Sequence, residues 1–193
     1  MSAAGRGAGD DLEALLLLDR GDAWEAVHAA WATGIIALRR GAVDQAITAL
    51  EQGLARTRER DLPGGLVFLS VVLGWALVEA DRGDEALALL APYEADFFPI
   101  LDVVRALGLL ASERTDDART IAGRARDAFE RRGERGFAAW AWWALGEIAA
   151  RGKPVDGAGA REAYGRALVL AQELGMAPLA ARVTGAREQL DGP

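Results

Sequence analysis

The sequence predicts an all-α chain built as an array of helix pairs, and three observations carry that prediction. Four residue–glycine pairs recur, Thr33-Gly34, Leu73-Gly74, Leu107-Gly108 and Leu145-Gly146, each inside an apolar, alanine-rich stretch. The glycines lie 40, 34 and 38 residues apart, close to the period of a two-helix unit, which can bury its apolar face only against the next copy. Behind each glycine, by 12, 12, 10 and 14 residues, stands an alanine of a second helix: Ala46, Ala86, Ala118 and Ala160. Small residues at such places let paired helices approach closely while larger neighbours fill the gap.

Taken in order, residues 1–9 are expected to form a flexible tail, and residues 10–193 one repeat domain. Asp10 or Asp11 is placed to cap a short first helix through Asp19, ended at Gly21. Asp22 then opens a long helix through Arg40, Gly41 turns the chain, and Val43 to Arg58 forms the partner. Pro63-Gly64-Gly65 reads as a breaker, followed by a helix to about Ala80, a turn at residues 81–83 and a shorter partner from Asp84 to Tyr93. The third pair joins a helix from about Phe97 to Ser112 with one from Asp116 to Arg132, ended by Gly133. The fourth joins Phe137–Arg151 to Ala158–Leu174 across a Gly/Pro loop, and Pro178 opens a last helix to about Leu190 that covers the exposed end.

Composition narrows the function classes. At 193 residues, 51% hydrophobic and 26% charged, the chain is long enough for one sizeable core and too apolar to be disordered. Its longest apolar run, Leu66 to Val78, is shorter than a bilayer-spanning helix and reads as a buried one. No apolar stretch follows a basic start at the N-terminus, so no secretory signal is read there and a cytoplasmic location is expected. A net charge of -7 opposes phosphate binding, so no direct nucleic-acid partner is expected. The chain has no cysteine, which excludes disulfides, thiol nucleophiles and cysteine-held metals.

The fourth unit reads Trp142-x-x-Leu145-Gly146, then Ala160-x-x-x-Tyr164-x-x-Ala167-Leu168, and so resembles the tetratricopeptide repeat: a bulky aromatic, a Leu-Gly pair, then Ala-x3-aromatic. The second copy keeps Leu73-Gly74, Ala86 and Leu90; the first keeps Gly34, Ala46, Leu50 and Leu54; the third keeps Leu107-Gly108 and Ala118. The longer units, and the segment from Ala163 to Leu179, look like the divergent repeats of large bacterial regulators of the maltose-activator and LuxR-type ATP-binding kind, and of some multidomain adenylyl cyclases. The resemblance implies a right-handed superhelix of tetratricopeptide-like pairs that senses an effector or holds a partner. It also implies a neighbouring nucleotide-binding domain and an output domain. This sequence has no Gly-x4-Gly-Lys-[Ser/Thr] loop, the nearest being Gly152-Lys153 before Pro154, and no basic helix-turn-helix after Leu190. It reads as a sensor segment or a free-standing repeat protein.

No constellation points to catalysis, and no metal or other cofactor is expected. His28 is the single histidine, so neither a histidine-pair metal site nor a choice of imidazoles for a triad exists. The carboxylate pairs Asp10-Asp11 and Asp116-Asp117 fall at helix starts, where they complement the helix dipole. The first-helix stripe is the candidate binding surface, because steps of three and four residues keep one helix face aligned. It holds His28, Trp31, Ile35 and Arg39; Phe68, Val71, Trp75 and Glu79; Asp102, Arg105, Leu109 and Glu113; and Trp140, Trp143, Glu147 and Arg151. In tetratricopeptide arrays a stripe so placed lines the concave groove, which here would be aromatic at both ends and charged between. Trp24 and Trp142 are assigned to the core. For the other tryptophans two readings stay open: packing between flanked helices, or anchors of a pocket.

The function expected from these features is a non-enzymatic sensor or interaction module, binding a protein, peptide or small apolar effector in its groove within bacterial transcriptional or signalling regulation. The alternative is an architectural array for oligomerisation or linkage, with no ligand of its own. A carboxylate clamp is not expected, since its lysine and asparagine donors are missing from the stripe, and backbone-clamping asparagines are excluded because the chain has no asparagine.

Overall fold

In the computed structural model, described for residues 21–94, 98–190 and 192, the chain is helical throughout, with nine α-helices and no strand among those residues. They are α1 Gly21–Arg39, α2 Val43–Glu59, α3 Pro63–Glu79, α4 Gly83–Leu90, α5 Ile100–Ala111, α6 Thr115–Arg132, α7 Arg135–Arg151, α8 Gly157–Glu173 and α9 Ala177–Leu190. The tail, the expected helix through Asp19 and the Phe97 start of the third pair lie outside the described residues. The other helices fall within a few residues of the sequence expectation. Pro63 is a correction: it opens α3 instead of standing in a breaker before it. The first helical position has an N–H with no intrahelical acceptor, so the proline ring costs nothing there.

Successive helices pack in chain order, and the first helices of neighbouring pairs also touch: α1 with α3, α3 with α5, and α5 with α7. Each of these first helices is therefore covered on several sides. This accounts for the sequence of α3, which is apolar around its whole circumference and buries Leu69, Ser70, Val71, Val72, Leu73, Ala76 and Leu77. The repeat glycines are the points of closest approach. A methyl group on Gly34 would stand 2.7 Å from Leu50 Cγ, one on Gly74 would meet Leu90 at 3.1 Å, and one on Gly146 would collide with the ring of Tyr164. Leu50, Leu90 and Tyr164 each follow the repeat alanine by one helical turn, so glycine and large side chain form a matched pair across the two helices. The third unit departs from this. Its equivalent residue is the small Ala122, and Gly108 faces Leu87 and the Gly83 carbonyl of the preceding pair instead.

The turns are more regular than their varying spacing suggests. After α1, α2, α3, α5, α6 and α8, one residue takes the left-handed conformation, and the next residue's N–H returns to a carbonyl five positions back at 2.8–3.3 Å. This is the bond that closes a Schellman C-cap. Glycine holds the left-handed position at Gly41, Gly133 and Gly175, but Asp61, Asp81 and Glu113 hold it elsewhere. A different device joins α7 to α8. There Asp156 caps α8 by accepting from the Gly159 N–H at 2.8 Å, after a cis Lys153-Pro154 bond.

Candidate functional site

Helices α1, α3 and α7, the start of α2 and the N-terminal part of α9 line a cavity of about 710 Å3 that is open to solvent on one side. Helix α1 contributes Ile35, Leu38 and Arg39, the following turn Gly41, and α2 Val43. Helix α3 contributes Val71, Val72, Trp75 and Glu79; α7 contributes Trp140; and α9 contributes Ala177, Pro178 and Arg182. These walls are mostly aliphatic and aromatic with three charged groups, the composition of a small-molecule pocket. The far wall is brought in by a long-range contact: Arg182 Nη1 donates to Glu79 Oε1 at 2.6 Å across 103 residues of chain.

The electrostatics centre on that pair. Glu79 Oε1 also accepts from the Trp75 indole N–H at 3.0 Å, a bond one helical turn long that fixes the carboxylate beside the ring. The Arg182 guanidinium lies over Trp143 and Trp75, at 5.1 and 5.8 Å from their ring centroids. Trp75 and Trp143 are stacked with centroids 5.5 Å apart, and Trp140 stands edge-on to both at 4.9 and 5.7 Å. Aromatic faces carry negative quadrupole charge, so a cation above them is stabilised by the rings as well as by the carboxylate.

Six of the stripe residues line the cavity: Ile35, Arg39, Val71, Trp75, Glu79 and Trp140. The other ten lie elsewhere, among them Leu109, buried at 4% exposure, and Glu113, which accepts from Lys153 Nζ at 2.9 Å. His28, Trp31 and Phe68 form a separate aromatic cluster, with Trp31 stacked on Phe68 at 5.6 Å and His28 edge-on to Phe68 at 6.4 Å. Trp143 is 4% exposed and forms part of the core beneath Trp75 and Trp140. Its indole N–H is buried with no acceptor among the described residues. Asp102 is likewise buried, 4% exposed, so its charge is not presented on a binding surface. Its carboxylate pairs with Arg105 at 3.3 Å and with Arg124 at 3.2 Å. Arg105 donates further to the carbonyl oxygens of Leu90 and Tyr93, which ties the end of α4 to α5. Glu147 accepts from the Tyr164 hydroxyl at 2.8 Å and from Arg151 at 3.4 Å. Burial, and then the neighbouring Glu147 charge, raise the Tyr164 phenol well above its usual range. Trp24, on α1, is partly buried and packs against the core near the start of α3. Trp142, assigned to the core, is only half-buried there; its N–H donates to Glu130 at 2.9 Å and Arg126 covers its ring.

The sequence stripe missed the α9 wall. Pro178 and Arg182 are one helical turn apart and so share a face, but nothing local says that this face meets α3. Among the described residues, no group of three His, Cys, Asp or Glu side chains could hold a metal ion, and no helix is long and apolar enough to cross a membrane. No protein-family profile matches the chain, and neither a curated protein nor a solved structure matches it.

Proposed function

We propose that this chain is a non-catalytic sensor module that binds a small apolar effector in the cavity between its first helices and α9. The observation that carries this reading is the cavity itself: about 710 Å3 of mostly apolar wall with Trp75 and Trp140 on one side and three charged groups among the liners. A drug-sized molecule fits such a volume, and aromatic walls with few polar groups are what such molecules bind. The reading includes a right-handed tetratricopeptide-like superhelix, supported by the helix-pair packing and the matched glycine contacts, and a cytoplasmic role in bacterial transcriptional or signalling regulation, supported by the resemblance of residues 142–179 to regulator repeats.

The test is titration with Nile red, a neutral apolar dye that brightens when it leaves water. Wild-type chain should take up the dye, and Trp75→Ala should weaken uptake by tenfold or more, since a lost aromatic anchor costs about 2 kcal/mol. Circular dichroism of the same variant should show the helices retained. A chain that leaves the dye dark would remove the effector reading and put the architectural one, an array that links or assembles other domains, in its place.

A further inference from the structure

We propose that the effector is an apolar organic cation, whose charged head displaces the Arg182 guanidinium from a box formed by Trp75, Trp143 and Glu79. The inference rests on the cavity being a ligand site, and it adds the chemical class of the ligand and the event that binding causes.

The box already holds a cation. Arg182 lies over two tryptophan faces and is ion-paired to Glu79, so rings and carboxylate form the electrostatic complement of a soft positive charge. Glu79 is the single carboxylate among the liners, and the Trp75 N–H holds it in place, so the negative charge is preorganised. The resident guanidinium is held only weakly. Its side chain is 39% exposed and that of Glu79 32%, an exposure at which solvent screens the pair and the arginine can swing into water with little loss of hydration. Beside the box, Ile35, Leu38, Val71 and Val72 offer wall for an apolar body. A ligand joining such a body to an ammonium or phosphonium head would gain both sets of contacts, whereas Arg182 uses only one. The net charge of -7 attracts cations to the surface. Arg39, the remaining charged liner, is exposed and sits in the last turn of α1, where its charge complements the helix's C-terminal dipole.

The structural consequence follows from the place of Arg182. Helix α9 packs on α8 and touches α7, and the Arg182–Glu79 pair is its ionic link to α3. Displacing the guanidinium releases that link, so occupancy of the cavity becomes a change in how the last helix is held.

Two ions of matched shape and opposite charge, tetraphenylphosphonium and tetraphenylborate, decide the matter on the full chain, read by calorimetry and tryptophan fluorescence. The cation is expected to bind at least tenfold more tightly than the borate. Arg182→Met should raise the affinity for the cation several-fold by removing the internal competitor, and Glu79→Gln should lower it at least tenfold. Borate binding as tight as the phosphonium, or Arg182→Met leaving cation affinity unchanged or lower, overturns the proposal. Should Glu79→Gln fail to fold, the Arg182→Met comparison decides alone. Nile red separates the two levels: if the dye enters but the cation has no advantage, the cation class falls and the cavity reading stands; if neither dye nor cation enters, both fall.

Discussion

Trp143→Ala is expected to lower stability by about 3–5 kcal/mol, the range for removing a large aromatic side chain from a core that cannot collapse around the gap. Trp143 is buried to 4% exposure within the cluster that also contains Phe129 and Tyr164, with Trp75 stacked on it and Trp140 against its edge. Deleting the indole takes the support from both rings at once. For a chain of this length the loss corresponds to a fall in melting temperature on the order of 10 °C. Trp143→Phe should cost much less, because it keeps a ring in place and removes a buried N–H that has no acceptor among the described residues. A negligible loss for Trp143→Ala would contradict its place in the core.

Asp102→Ala is expected to cost about 3 kcal/mol, the low end of the range for breaking a buried ion pair by removing one partner. The reason is what stays behind. Arg105, with a side chain only 18% exposed, would keep its charge and its bonds to the Leu90 and Tyr93 carbonyls but lose its counter-ion, since Arg124 brings no negative charge. Urea denaturation should therefore show the single variant less stable than the double variant Asp102→Leu with Arg105→Met, in which no buried charge is left unpaired. A double variant less stable than the single one would mean that the pair matters for its hydrogen bonds to the α4 end more than for its charge balance.

Much of the helical layout was legible in the residues because a helix pair is a local object. Gly34, Gly74 and Gly146 marked real close approaches, since each is met by the large side chain one turn beyond the repeat alanine. Gly108 carried the same local signature and yet packs on α4, because the residue that would have covered it is Ala122. The turns hid their regularity. Asp61, Asp81 and Glu113 adopt the left-handed conformation normally signalled by glycine, so three of the recurring caps had no glycine to announce them.

The site was half legible for a related reason. Steps of three and four residues found the face that α1 and α3 turn to the cavity, giving Ile35, Arg39, Val71, Trp75 and Glu79. The same steps failed on α5, where Asp102 and Arg105 are covered and consumed by packing between pairs. They also failed on α7, where Trp140 reaches the cavity and Trp143 lies beneath it. The α9 wall was illegible from spacing, because it depends on residue 182 meeting residue 79 across 103 residues of chain.

That contact brings α9 to the cavity, and one substitution tests whether the cavity is the ligand site. Ala177 lines it from an exposed position at the start of α9, so Ala177→Trp places a large ring in the cavity without disturbing a packed core. Nile red titration of this variant, beside a thermal melt, is the direct measurement. Loss of most dye uptake at an unchanged melting temperature is the expected result. Uptake equal to that of the wild-type chain would contradict the assignment and place the dye elsewhere on the molecule.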